Sequence, residues 1–449
     1  MIKYTLRKNR DFGINLGEGE WEGTYMRITT YTDPDFYFVT ERLNYVIRGE
    51  IWLEEKIDEK ILQHAVDTAF NRFPYFSIQL VIDDNRYVVI PNYKPHIIVN
   101  TDKPVVLNSP EVNYHLFVIT YFENKIFFNV SHCITDGIGR APFTRTVLYY
   151  YLTEKYGLKL DSDGIYLADQ GLFDDEDGDP VPIEEVMQAE SDAYRSVGDA
   201  FKLRSLDAVK DDVQKKFIFS VDETEFIKFC KEHKATPNSM TTALLSKVTW
   251  QLGGSIDKNL VTNICVNMRP GLNNKHSHHF LLNCIPIIYT PEMRNDSLDN
   301  LNALARQFIN EQTTTTNLKY LCKMTVNLFL RIKKMKKLEL KKNYVRMAMH
   351  GRDGFLASTY IISYVGKNSL GSLYPYVKAE FTIVDAMPDD GIIVEITSAD
   401  GKFFFSFMQD FSSDVIVNSF IDELEKNNIP VQKIDEGPLG TPTLLLPVE

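Results

Sequence analysis

Residues 125–137 read Lys-Ile-Phe-Phe-Asn-Val-Ser-His-Cys-Ile-Thr-Asp-Gly, and they constrain the fold more than any other stretch of this chain. Lys125 to Val130 is an apolar and aromatic run after a polar Glu123-Asn124 turn, which predicts a strand. The strand ends in a loop of the form His132-x-x-x-Asp136-Gly137, so an imidazole stands where a rigid sheet stops. A neutral imidazole in that position accepts a proton at physiological pH. Asp136 can hold the loop shape, and Gly137 removes a side chain where the chain turns or a substrate passes. A buried structural histidine gives the same short pattern, so the context has to decide. Cys133 points away from His132 at a strand end, which disfavours it as a nucleophile.

That context is a regular alternation of elements. Asp58 caps a helix over 58–73 whose Ile61, Leu62, Ala65, Val66, Ala69, Phe70 and Phe73 share a face, and Pro74 ends it. Strands are predicted at 76–82 and 86–91, followed by a hairpin over 115–120 and 125–130. A helix starts near Pro142 and runs to Gly157. The acidic, turn-rich segment Asp174-Asp175-Glu176-Asp177-Gly178-Asp179-Pro180 lies in a stretch with few apolar residues, and reads as a surface crossover rather than a metal loop. Strand and helix signals resume at 216–221, after Asp222 and after Thr236-Pro237. Strands are then expected at 259–267 and 280–289, helices at 296–314 and 318–338, and strands at 358–364, 378–385, 391–397 and 402–408. Asp400-Gly401 joins the last two as a hairpin turn, and a helix covers 413–427. The chain is thus read as α/β, with mixed α+β lobes: an N-terminal lobe over 1–160, an acidic linker over 161–215 and a C-terminal lobe over 216–449.

Composition narrows the function. A formal net charge of −12 argues against a nucleic-acid or anionic-membrane surface. No stretch predicts a membrane span, and Met1 to Lys8 lacks the apolar core of a signal peptide. Five scattered cysteines, none in a C-x-x-C pair, fit reduced thiols and a cytoplasmic location. No P-loop or Gly-x-Ser-x-Gly elbow is present, and the glutamates of Gly17-Glu18-Gly19-Glu20 would repel a phosphate.

Further marks are Asn71-Arg72-Phe73-Pro74 ending the first helix and Asn267-Met268-Arg269-Pro270 after a strand, beside His132-x-x-x-Asp136-Gly137. Asn283, Ser363-Tyr364-Val365-Gly366-Lys367 and the segment from Lys402 to Leu424 extend the series over most of 40–427. Taken together, this order of features resembles the CoA-dependent acyltransferase superfamily, condensation-domain-like and closest to the bacterial alcohol acetyltransferases. Ser131 stands where condensation domains usually carry a first histidine, and the Asp-Phe-Gly-Trp-Gly signature of plant acyltransferases is absent.

The resemblance implies two chloramphenicol-acetyltransferase-like lobes with a tunnel between them. It implies acyl transfer from a thioester, with acyl-CoA as co-substrate and no permanently bound cofactor, to an alcohol hydroxyl. His132 is then the general base, Asp136 is structural and paired with Arg269, Gly137 lies at the substrate, and Ser363 is the candidate oxyanion donor. The alternatives are amide-forming condensation with an acyl carrier protein as donor, and a non-catalytic binding module. Two lobes in one chain can complete a site, so a monomer suffices. The basic run Arg331-Ile332-Lys333-Lys334-Met335-Lys336-Lys337 is read as a solvated helix face rather than a nucleotide dock. His276-Ser277-His278-His279 is read as a solvated loop, with no metal, because no acidic or cysteine partner lies near it in sequence.

Overall fold

The computed structural model describes residues 33–40, 42–206, 213–351, 355–364, 370–387 and 391–447. The Gly17 segment, and Val365 to Lys367 of the proposed substrate-facing strand end, lie outside them.

Two main sheets organise the chain. The first has five strands in the order Val377–Val384, Val46–Leu53, Lys125–Ser131, Phe117–Phe122 and Val99–Asn100. The second has seven: Leu282–Tyr289, Leu260–Asn267, Tyr360–Tyr364, Ile392–Ala399, Lys402–Gln409, Lys215–Asp222 and Val431–Pro438. The helix Glu59–Arg72, capped by the Asp58 carboxylate, packs with the helix Gly137–Tyr156 on the first sheet's side of the molecule. Phe143 of the latter helix is an aromatic hub, with the rings of Phe70, Phe73, Phe76, Phe117 and Phe128 within 6.5 Å of it, mostly edge-on or tilted.

The strand Lys402–Gln409 shows why an unbroken aromatic run belongs where it does. Phe403, Phe405 and Phe407 enter one core, while Phe404 and Met408 enter the other. A strand with both faces buried loses its polar alternation, and here each face serves a different hydrophobic cluster. At its hairpin, Asp400 and Gly401 have φ of 49° and 71°, the left-handed pair that such a turn demands.

Several elements differ from expectation. The second helix begins at Gly137, not near Pro142, because the Asp136 carboxylate accepts the Gly139 N–H and caps the helix there. Pro142 sits inside the helix. A helix Leu338–His350 follows a break after Lys333 and was not expected, nor were the strands Val46–Leu53 and Val431–Pro438. Val377–Val384, from the C-terminal half of the chain, crosses to the first sheet and pairs antiparallel with Val46–Leu53. That crossing strand carries Glu380 and Thr382 to the space between the sheets.

Candidate active site

Between the two sheets lies a cavity of about 920 Å³. His132, Gly137 and Arg140 line it from the first sheet's loop and helix, Ser363 and Glu395 from the second sheet, and Glu380 from the crossing strand. Ser363 and Glu395 are directly paired on parallel strands.

His132 is half-buried at the end of its strand, with its backbone N–H donating to the Tyr45 carbonyl at 2.8 Å. Its Nδ1 lies 2.9 Å from the Thr135 carbonyl oxygen. A carbonyl only accepts, so Nδ1 carries the proton and Nε2 holds the lone pair. The ring stacks on Tyr45 with centroids 5.1 Å apart and meets Phe280 edge-on at 4.8 Å. Burial depresses the His132 pKa below its ordinary value, although the Thr135 carbonyl and the Asp136 charge act to raise it. The imidazole is therefore neutral at pH 7. Tyr45 adopts a left-handed φ of 52°, a strained conformation for an aromatic residue beside the site.

Asp136 faces away from this ring. Arg269 donates from Nη1 to Oδ2 at 2.9 Å and from Nη2 to Oδ1 at 3.0 Å, and both side chains are 3% exposed. The Leu281 N–H adds a bond at 2.8 Å. Burial alone would raise the Asp136 pKa, but the Arg269 charge and these hydrogen bonds outweigh it and hold the carboxyl below its usual range. Arg269 reaches further, to the carbonyls of Ser277 and His279 at 3.1 and 2.8 Å. One guanidinium thus ties the histidine loop to the loop between Leu260–Asn267 and Leu282–Tyr289.

Residues that sequence reasoning missed complete the walls. Arg140 is buried, donates to Thr382 Oγ1 at 2.9 Å and packs against the bare Cα of Gly49, where a Cβ would lie 2.5 Å from Nη1. Burial raises Glu395 to about 7, against its Ser363 hydrogen bond and the Arg140 charge. Gly139 is required by space: a Cβ there would lie 2.3 Å from the His278 carbonyl oxygen. The Gly-x-Gly spacing at 137 and 139 was the available signal.

The reading of the histidine loop as solvated is corrected, and the acidic surface segment, exposed at Asp174, Asp177, Gly178 and Asp179, turns one carboxylate inward. Glu176 is completely buried and makes two 2.8 Å bonds to the Arg72 guanidinium, with the Tyr75 hydroxyl donating to it. Asp175 accepts from the His276 and Lys275 backbone and pairs with His276 Nδ1 at 2.8 Å, while Asp177 lies 3.0 Å from His278 Nε2. His278 and His279 are each 1% exposed. The acidic partners stand a hundred residues away in sequence, which is why neighbourhood in the chain did not show them. The basic run, by contrast, is exposed at Lys333, Lys334, Lys336 and Lys337, and its Arg331 reaches the cavity rim and Tyr344.

No family model and no curated protein sequence matches the chain. Solved structures do. Polyketide synthase associated protein 5 from Mycobacterium tuberculosis superposes with a TM-score of 0.61 at 12% identity, covering 89% of this chain and 97% of that one. TRI101 of F. graminearum, complexed with coenzyme A and T-2 mycotoxin, gives 0.56 at 12% identity, over 90% and 99% of the two chains. The starter condensation domain of rhizomide synthetase, in complex with C8-CoA, gives 0.52 at 12% identity, over 88% and 93%. The chain therefore has the mixed α/β fold of the CoA-dependent acyltransferases and condensation domains. Among the described residues, no helix is long and apolar enough to cross a membrane.

Proposed function

We propose that the protein transfers an acyl group from acyl-CoA to an alcohol hydroxyl, with His132 as general base. The observation that carries this reading is the fixed tautomer: Nδ1–H is held by the Thr135 carbonyl on a ring that lines the cavity, which leaves Nε2 to accept a proton. The acceptor O–H gives its proton to Nε2 as the oxygen attacks the thioester carbonyl carbon. The tetrahedral intermediate collapses with cleavage of the C–S bond, and Nε2–H returns the proton to the departing thiolate. No covalent enzyme intermediate is needed, because the thioester is already activated.

Asp136 acts through the loop it holds, not on the substrate, and Arg269 is its clamp. Gly137 borders the cavity at the helix start. Ser363 is the proposed oxyanion donor. With its pKa near 7, Glu395 in its protonated form can donate to Ser363 Oγ and free the Ser363 proton for the oxyanion. Binding of coenzyme A by the structural neighbours supports the donor assignment.

The test is thiol release from a panel of acyl-CoAs against pooled alcohols and amines. Release should depend on an added alcohol, and His132→Ala should lower kcat by about 10²–10⁴ with an unchanged melting temperature. Wild-type turnover in His132→Ala overturns the assignment, and turnover with amines alone or only from a carrier-bound acyl group redirects it to condensation.

A further inference from the structure

We propose that Asp177, His278 and His279 form a site for one divalent transition-metal ion, with zinc the expected occupant, which pins the crossover segment to the loop behind His132. One ligand atom from each side chain lies within 4.8 Å of the other two. His278 Nε2 and Asp177 Oδ1 are already 3.0 Å apart, and the two imidazole centroids are separated by 4.1 Å. Tetrahedral zinc with bonds of 2.0–2.1 Å sets its ligand atoms about 3.4 Å apart, so closure asks for an adjustment of about an ångström.

The donor set has the right chemistry. Two imidazoles and a carboxylate match the N/O preference of zinc, and water can supply the fourth position. The Asp177 side chain is 41% exposed, whereas both histidines are buried, so the ion would enter from the carboxylate side and rest on an interior imidazole pair.

The ligands are also held from outside. Tyr75 stacks on His278 with centroids 3.8 Å apart, and the His278 N–H donates to the Glu176 carbonyl at 3.1 Å. The His279 N–H donates to Ser277 Oγ, and the His279 carbonyl accepts from Arg269. Such outer contacts orient metal ligands. They also connect the site to catalysis geometrically: Arg269 holds Asp136, and the His278 carbonyl rests against Gly139. The ion is therefore a structural staple of the active-site loop, and its presence does not depend on which acyl transfer the cavity performs.

The experiment uses the full chain, freed of any affinity tag, stripped with EDTA and dialysed against zinc chloride. Elemental analysis should find one zinc per chain. Zinc at a hundredfold excess over its Kd should raise the melting temperature by roughly 3 °C, and magnesium should not. Asp177→Asn, at the exposed edge and therefore expected to fold, and His279→Gln should each lose the bound zinc and the shift. His276→Gln, on the neighbouring Asp175 pair, should keep both. Absence of zinc from the wild type, or equal retention in Asp177→Asn and His279→Gln, overturns the proposal.

Discussion

Replacing Asp136 by asparagine keeps the shape of the side chain and removes its charge, which isolates the electrostatic part of the loop clamp. The carboxylate accepts four hydrogen bonds: two from Arg269 and one each from the Gly139 and Leu281 N–H groups. An amide can keep its oxygen toward one side only, and its NH₂ then meets a donor on the other. Arg269 stays charged in the interior with only neutral acceptors, the Ser277 and His279 carbonyls and Asn267 Oδ1. Removing one partner of such a buried pair costs about 3–5 kcal/mol. With an unfolding entropy of about 2.1 cal/mol/K per residue over 449 residues, or roughly 0.9 kcal/mol/K, the melting temperature should fall by about 3–5 °C.

Thermal melts of wild type, Asp136→Asn, Arg269→Gln and the double variant provide the assay. The double variant should be less destabilised than the sum of the singles by about 1–3 kcal/mol, because the uncompensated charge is gone. The pH dependence has a definite sign. The folded Asp136 pKa lies below the unfolded value of about 3.9, so its stabilisation is fully present above that value and is lost as pH falls through the folded value. Asp136→Asn should flatten that acid-side loss. Additive single variants, or a loss under about 1 kcal/mol for Asp136→Asn, would refute the reasoning.

Two further outcomes follow from the same geometry. Gly139→Ala drives a methyl to 2.3 Å from the His278 backbone carbonyl, and should cost about 1–3 kcal/mol in a melt and lower kcat by shifting the loop; a variant as stable and active as wild type refutes the packing argument. Burial depresses the His132 pKa, and the proposed base is its neutral form, so kcat/KM should rise with pH to a plateau with the midpoint below about 6.5. A midpoint above 7 in the pH–rate profile would contradict the assigned base.

Local signals carried well where the physics is local. The caps at Asp58, Asp222 and Thr236 and the Asp400-Gly401 turn all involve residues within four of each other, and the strand running into His132 is one short apolar run. Val46–Leu53 escaped because Arg48, Gly49 and Glu50 interrupt its apolar pattern. In the fold these residues are compensated by an Arg48–Glu50 ion pair at 3.3 Å, Arg48 over the Phe127 ring at 4.0 Å, and Arg140 filling the space above Gly49. Pairing Asp136 with Arg269 required family likeness, since no periodicity relates positions so far apart. Glu176 with Arg72 and Asp177 with His278 left no trace in either chain neighbourhood.

What the amino-acid order determined on its own was most of the helices and strands and the placing of an imidazole at a strand end, because capping, turn chemistry and short apolar runs act over a few residues. What only the tertiary structure decided was which charges meet. A buried ion pair is stabilised by the specific partner that replaces lost water, and that partner arrives from wherever the folded chain happens to return.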